Sequence, residues 1–239
     1  RAAGARVWGM RTVVLTGVSR GLGAALFDQL ASRGDRILGI GRTFSDAQRA
    51  LAAAERERIR LRSADLAALD LPPAEDLAWA LDNAEHAALV HNAATVEPIG
   101  AVGALVPEAV TAAVALNLTA PMLLTNAFLG ALPEESRGTV LFISSGAAKR
   151  VIDGWSVYCA TKAGGEMFFD AVASQGRVRV ANVNPGVMDT AMQAAIRTAA
   201  ASEAYFPGRQ RYLDLYERGE LASPADVAAK IIEEHLTNE

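Results

Sequence analysis

The sequence predicts an α/β fold in which helices cover both faces of one doubly wound parallel sheet. Three observations support this prediction. Short apolar runs alternate with longer helical segments from residue 11 to residue 236, as expected of strand–helix–strand units. Most of the apolar runs are continuous, which is typical of strands that are buried on both faces. A glycine-rich turn joins the first predicted strand to the first predicted helix.

The elements follow one another at short intervals. Strands are predicted at residues 12–16, 36–40, 59–61, 87–91, 139–143 and 178–184. Helices are predicted at residues 21–32, 46–57, 74–83, 106–132, 156–175 and 224–236. The last helix has Ser223 at its N-cap and Pro224 as its first residue, a common way for a helix to begin. Residues 188–221 are predicted to form a partly helical flap.

Length and composition limit the class of protein. The chain has 239 residues, which suits a single domain with a large core. Residues 1–10 are predicted to be an N-terminal extension or tag remnant, and residues 11–239 the domain. The net charge of −4 offers no basic surface for nucleic acid. Cys159, the single cysteine, excludes an internal disulfide and suits a reducing cytoplasm, where we expect the protein to act.

One uncharged segment is long enough to raise the question of a membrane. Residues 109–133 carry no charged side chain and could span a bilayer. Asn117, Pro121 and Asn126 lie inside the segment, and no basic cluster flanks it. We therefore predict a helix buried against the sheet or another subunit, and no membrane partner.

The turn after the first strand has the composition of a phosphate-binding loop. It reads Thr16-Gly17-Val18-Ser19-Arg20-Gly21-Leu22-Gly23. In doubly wound folds this turn holds the pyrophosphate of a dinucleotide, because glycines allow close approach and the following helix offers free amide groups. The strand–turn–helix context makes a Rossmann-like cofactor site the favoured interpretation, and a tight turn without a ligand is the alternative.

Two arginines favour NADP(H) as the cofactor. The second strand leads into Arg42 and Thr43, with no carboxylate before Asp46. An NAD site usually has an acidic residue here for the ribose 2′-hydroxyl, whereas an NADP site has an arginine for the 2′-phosphate. Arg42 and, from the glycine turn, Arg20 can both meet that phosphate. An NAD-linked enzyme is the alternative.

A tyrosine and a lysine have the spacing of an acid–base pair. Tyr158 and Lys162 lie four residues apart, on one face of the helix predicted at 156–175. Free tyrosine has a pKa near 10, and a neighbouring cation is expected to lower that pKa so that the phenol can exchange protons. The three histidines show no metal-ligand spacing, and we predict no metal site.

Two further polar residues are candidates for the same site. Ser144 and Ser145 end the fifth strand, at the sheet edge where a cofactor would lie, and a hydroxyl there can hold a substrate carbonyl. Asn117 lies midway along the uncharged helix, where a buried amide needs hydrogen-bond partners. A hydrogen bond between helices or a role in the site would both supply them.

Together these motifs resemble the short-chain dehydrogenases/reductases over residues 11–236. The TGxxxGxG turn and the Tyr158/Lys162 pair are the most specific elements. The resemblance implies that Ser145, 13 residues before Tyr158, is the catalytic serine. It also implies that Asn117 holds a water that connects Lys162 to solvent, and that Lys162 binds the nicotinamide ribose. Further cofactor contacts are implied for Asp65, Leu66, Asn92, Ala93, Ala94, Pro185, Gly186, Val187 and Thr190.

A narrower resemblance suggests the reaction. Residues 92–99, 116–124 and 186–192 resemble the branch of sepiapterin reductases and bacterial benzil reductases. The acidic residue that anchors the pterin in sepiapterin reductases has no match here, so the benzil-reductase-like interpretation is favoured. It implies NADPH-dependent reduction of a diketone or another small hydrophobic or aromatic ketone. An NAD-linked secondary alcohol dehydrogenase and a non-catalytic NADPH-binding sensor are the alternatives.

The last expectations concern the substrate pocket and the assembly. We expect the pocket to be formed by Ser145, Val151, Trp155, Tyr158 and Met192. Aromatic residues of the flap either join this pocket or pack the flap onto the body. Because members of this family commonly pair through the two long helices, the resemblance also implies a homodimer.

Overall fold

The computed structural model describes residues 11–199 and 206–237. The strands are β1 Arg11–Thr16, β2 Arg36–Gly41, β3 Ile59–Ser63, β4 His86–His91, β5 Arg137–Ile143 and β6 Arg179–Val183. The helices are α1 Gly21–Ser32, α2 Asp46–Ala54, α3 Ala74–Leu81, α4 Pro107–Val114, α5 Ala120–Ala131, α6 Ser156–Ser174, α7 Ala191–Thr198, α8 Arg209–Glu217 and α9 Pro224–His235.

The six strands form one parallel sheet in the order β3-β2-β1-β4-β5-β6. The direction of winding reverses between β1 and β4, which opens a crevice at their carboxyl ends. Two apolar cores lie on the two faces of the sheet. The core that contains Phe128 and Phe169 packs under α3, α5 and α6, and the core that contains Phe27 and Ile231 packs under α1 and α9. The predicted single-domain, doubly wound α/β fold is confirmed.

The long uncharged helix is continuous but irregular. A π-helical turn at Ala115–Thr119 joins α4 to α5, so helical structure runs over 25 residues from Pro107 to Ala131. By length and composition alone this helix could cross a membrane, with a mean hydropathy of 1.5 in its most apolar window. Leu124 and Phe128 are buried in the core beneath the sheet, which accounts for part of its apolar character.

The C-terminal part completes the fold. Ser223 caps α9 by accepting a hydrogen bond from the Ala225 amide, as predicted from the Ser-Pro pair. The predicted flap contains α7 and α8, while its residues 200–205 lie outside the described part of the chain, as do residues 1–10. An isolated parallel bridge between Met188 and Ala222 joins the start of the flap to its end.

Candidate active site

The glycine turn is held tightly at the carboxyl end of β1. The Gly17 amide donates to Ile40 O at 2.7 Å, and Gly17 has a φ of +73°, which favours glycine. The side-chain amide nitrogen of Asn92 (Nδ2) donates to Thr16 O at 3.0 Å and to Gly17 O at 3.1 Å. A Cβ atom on Gly23 would lie 2.0 Å from Gly17 O. The turn and the first residues of α1 therefore leave no room for a side chain, as a close-fitting phosphate cradle requires.

One hydrogen bond joins the two segments that carry the predicted phosphate-binding arginines. The Ser19 hydroxyl donates to Thr43 O at 2.5 Å, which ties the glycine turn to the loop after β2. Arg20 and Arg42 each adjoin one of these bonded residues, and both are exposed. Within residues 11–199 and 206–237, neither arginine forms a salt bridge. Two uncompensated guanidinium groups at this place fit the 2′-phosphate of NADP(H).

Asp65 and Leu66, for which the resemblance implies cofactor contacts, have different environments. The Asp65 carboxylate caps a short 3-10 turn by accepting from the Ala67 amide at 3.0 Å. The Ala64 amide donates to Gly41 O, so this turn lies beside the end of β2. The Leu66 side chain is buried in the core, and the same holds for Leu22 in the glycine turn. Their side chains face the core, which leaves their backbone groups for any contact with a cofactor.

The segment after β4 is hydrogen-bonded to the start of the glycine turn. The Thr16 hydroxyl accepts from the amides of Asn92 and Ala93, at 3.0 and 3.1 Å. Ala94 follows in the same half-buried segment. These contacts place the predicted Asn-Ala-Ala element directly against the end of β1.

The segment after β6 also lies next to the glycine turn. It contains Pro185 and Gly186, and the Val187 carbonyl accepts from the Ala222 amide at 3.1 Å. Thr190 caps α7 and lies so close to Gly21 that a Cβ atom on that glycine would be 3.2 Å from Cγ2 of Thr190. The structure thus brings this predicted element to the glycine turn.

Tyr158 and Lys162 are both buried, at 7% and 2% exposure, on α6. The Lys162 ammonium donates to Ile143 O at 2.7 Å and lies 4.6 Å from the centre of the Phe142 ring. Burial raises the pKa of Tyr158 to about 12, against the opposing effect of a hydrogen bond with Ser145. This is the opposite of the predicted lowering by Lys162. Desolvation of the phenol dominates, and the ammonium is bound to a carbonyl of the sheet.

Asn117 finds its partners on two neighbouring segments. It lies in the π-helical turn, where its Oδ1 accepts from the Thr95 amide and its Nδ2 donates to Thr95 O, both at 2.8 Å. Its Nδ2 also donates to the Thr161 hydroxyl, next to Lys162, at 3.2 Å. Asn117 therefore clamps the segment after β4 to α6. The water that the resemblance implies at Asn117 stays a prediction.

An aromatic cluster adjoins the Tyr158 ring. The Trp155 ring meets Tyr158 edge-on at 5.7 Å and stacks on Tyr212 at 5.5 Å. Phe206 is fully buried against Trp155. Met192 from α7 packs against this cluster, so the flap contributes residues to it. Val151, in contrast, is 88% exposed, and the structure does not bring it into the cluster.

Sequence reasoning missed Glu166, a buried acid on the same helix. It is 7% exposed, accepts from the Ser144 hydroxyl at 2.6 Å and pairs with the Lys149 ammonium at 2.5 Å. Its spacing of four residues from Lys162 and eight from Tyr158 was the available signal, because those intervals place all three on one helix face.

Comparison with known proteins agrees with this geometry. The profile of the family described as short chain dehydrogenase matches residues 11–201. The protein belongs to the short-chain dehydrogenase family. This short-chain dehydrogenase is 35% identical to the benzil reductase ((S)-benzoin forming) of Bacillus cereus, over 93% of this chain and 92% of that protein. It is 30% identical to the sepiapterin reductase of Xenopus tropicalis, over 92% and 89%. The predicted branch is confirmed.

Solved structures of the family share the fold. A short-chain dehydrogenase/reductase from Burkholderia vietnamiensis is 38% identical, with a TM-score of 0.68 over 82% of this chain and 93% of that one. The KRED1-Pglu enzyme is 25% identical, with a TM-score of 0.81 over 96% of both chains. A metagenomic short-chain oxidoreductase in complex with NADP is 26% identical, with a TM-score of 0.66 over 93% and 89%.

Proposed function

We propose that this short-chain dehydrogenase is an NADPH-dependent carbonyl reductase. Its substrate would be a diketone or another small hydrophobic or aromatic ketone, reduced to an alcohol. The observation that carries the proposal is the position of Tyr158, which has Ser145 beside its phenol, an aromatic cluster beside its ring and Lys162 one turn further along α6. The likeness to benzil reductases supports the substrate class, and a relative solved with NADP supports the cofactor.

The proposed cofactor site lies along the carboxyl ends of the strands. Arg20 and Arg42 would hold the 2′-phosphate, and the glycine turn with the first amides of α1 would hold the pyrophosphate. Lys162 and the segment around Thr190 would hold the nicotinamide half. The chemistry that NADPH supplies when bound is the hydride for the carbonyl carbon.

The protein's own residues would supply the proton and the orientation. With a pKa of about 12, the Tyr158 phenol is protonated at neutral pH and can donate its proton to the carbonyl oxygen. The Ser145 hydroxyl would hold the same oxygen. The Lys162 ammonium, 5.6 Å from the centre of the Tyr158 ring, would stabilise the phenolate that forms. The buried aromatic cluster would exclude water from the reacting groups.

The cofactor preference is tested by reversing one charge. Arg42→Glu is expected to raise the KM for NADPH by about 10- to 100-fold, because it replaces a charge-assisted hydrogen bond to phosphate by repulsion. The KM for NADH, which lacks the phosphate, should change far less. Steady-state kinetics with both cofactors measures this. Arg56→Glu, an exposed reversal at the end of α2, is the matched control. Equal losses with both cofactors would contradict the proposal.

The activity itself is tested with a panel of substrates. We would follow the oxidation of NADPH, and separately of NADH, in the presence of 1,2-diketones, sepiapterin and simple aldehydes. Turnover of a diketone with NADPH is the expected result. Tight binding of NADPH without turnover of any member would overturn the reductase assignment in favour of a sensor.

We also propose that the protein is a cytoplasmic homodimer, with residues 11–239 as the catalytic domain and residues 188–221 as its flap. Exposed apolar side chains on both long helices support the dimer, since Leu123 on α5 is 42% exposed and Met167 on α6 is 71% exposed. Light scattering is expected to give the mass of two chains.

The same apolar side chains allow the dimer to be broken. Replacing both Leu123 and Met167 by glutamate is expected to give one chain mass, because burying four like charges at a symmetric interface is unfavourable. Val102→Glu, at a position that is 80% exposed and belongs to neither helix, serves as the control. A monodisperse wild-type monomer would refute the dimer.

A further inference from the structure

Glu166 connects the end of β5 to α6 through its two oxygens. Oε1 accepts from the Ser144 hydroxyl at 2.6 Å, and Oε2 pairs with the ammonium of Lys149 at 2.5 Å. Glu166 is buried, whereas the Lys149 side chain is 74% exposed. A carboxylate is costly to bury without partners, and these two contacts offset that cost.

Lys162 makes the same kind of connection one turn earlier on the helix. Its ammonium donates to Ile143 O, at the end of β5, and the residue that follows is Ser144, whose hydroxyl donates to Glu166. Two successive residues at the end of β5 are therefore bound by side chains one helical turn apart on α6. Ser145 follows directly. These two contacts therefore hold the chain that leads into Ser145 against α6, the helix that carries Tyr158.

The Glu166 carboxylate also acts on the charge of Lys162. Phe142 and Tyr158 present rings, and His91 on β4 is neutral because burial lowers its pKa to about 3. Burial lowers the pKa of Lys162 to about 7, and the Glu166 carboxylate acts in the opposite direction.

Two other charged groups lie near the Glu166 carboxylate. Asp170, further along α6, is exposed and accepts from the Asn182 amide on β6 at 2.8 Å. Lys149 lies after the short 3-10 turn that follows Ser145, on the solvent side of the carboxylate. Glu166 thus pairs with an exposed cation, Lys149, and acts through its charge on a buried one, Lys162, four residues earlier on α6.

We propose that Glu166 is a positioning residue of the active site, which keeps the Lys162 side chain charged and holds the end of β5 in register with α6. The inference deepens the proposed function, since a charged Lys162 matters for proton donation by Tyr158. A neutral lysine could not stabilise the phenolate that forms when the carbonyl oxygen is protonated.

The charge of Lys162 can be measured directly, without activity. The chain has three lysines, Lys149, Lys162 and Lys230, so protein labelled with 13C at the lysine Cε gives three NMR signals to titrate. Glu166→Gln keeps the size of the side chain and removes its charge. It is expected to lower the titration midpoint of Lys162 by about one pH unit. An unchanged midpoint would overturn the proposal.

A second variant covers the case in which Glu166→Gln does not fold. Lys149→Met removes the exposed cation and leaves the carboxylate facing Lys162. The midpoint of Lys162 should then rise, because the Lys149 ammonium no longer offsets the charge of the Glu166 carboxylate. An unchanged or lower midpoint in Lys149→Met would contradict the proposal, since the carboxylate would then have no influence on Lys162.

The pH profile of turnover separates positioning of a charge from general structural support. Glu166→Gln should lose about tenfold in kcat relative to wild type above the lowered midpoint, and much less below it, because Lys162 regains its proton there. A loss that is equal at all pH values would indicate a structural role and overturn the charge proposal. If the protein proved not to be a reductase, the NMR titration would still show whether Glu166 keeps Lys162 charged.

Discussion

Replacing Tyr158 by phenylalanine is expected to lower turnover of a 1,2-diketone with NADPH by about 10²–10⁴-fold, the contribution typical of a positioned general acid. The change removes one oxygen atom and leaves the ring. Because the packing of that ring against Trp155 stays, the fold should be intact. The loss therefore falls on kcat, while NADPH affinity should change little.

Two measurements make this result decisive. The melting temperature and the quenching of protein fluorescence by NADPH should match those of the wild type. Tyr216→Phe provides the same chemical change at a half-exposed position on α8 and should retain activity. If Tyr158→Phe kept wild-type turnover, the phenol would not be the proton donor and the proposed mechanism would fall.

The second large effect is expected from Gly23→Ala. The added methyl group would lie 2.0 Å from Gly17 O and 2.5 Å from the Asn92 Nδ2 that holds the turn. Both neighbours belong to the turn or its support, so relieving the clash displaces the turn itself. We expect a loss of about 1–3 kcal/mol in the free energy of unfolding, as for other overpacked sites. NADPH binding should weaken by at least about 100-fold, because the displaced amides no longer face the pyrophosphate.

Gly130→Ala is the matched control for that substitution. Gly130 lies in α5, and within the described residues no atom beyond its own stretch of helix lies within 4 Å of an added Cβ. Alanine should therefore raise the free energy of unfolding by up to about 1 kcal/mol. Urea unfolding and fluorescence titration with NADPH measure both variants. Wild-type NADPH affinity in Gly23→Ala would show that this turn does not carry the pyrophosphate.

Much of the fold could be predicted from local patterns. Apolar positions located all six strands to within two residues. The inner strands β1, β2 and β4 are continuous apolar runs because both of their faces are covered, whereas the edge strand β3 alternates apolar and charged residues and is only partly buried. The ends of helices could also be predicted from local sequence where a cap residue was present, as at Ser223. The end of α2 was predicted three residues too late, since the chain turns at Glu55, whose amide makes the last helical hydrogen bond, to Leu51 O.

Local patterns likewise identified only part of the candidate site. Spacing along one strand–turn–helix unit or one helix sufficed to select the glycine turn, Tyr158 and Lys162. The flap had no such signal. Phe206, before α8, and Tyr212, on α8, enter the aromatic cluster through contacts with Trp155, which is distant in the sequence. No local pattern distinguishes these aromatic residues from ordinary core packing.

By itself, the sequence determined the fold class, the glycine turn and the identity of the acid–base candidates, because these depend on residue type and short-range spacing. Tertiary structure decided what depends on burial and on contacts between distant segments. It made the Tyr158 phenol a weaker acid, left Val151 in solvent and buried Glu166 one turn after Lys162 on α6. Desolvation acts on a group according to everything packed around it, and that environment exists only once the chain has folded.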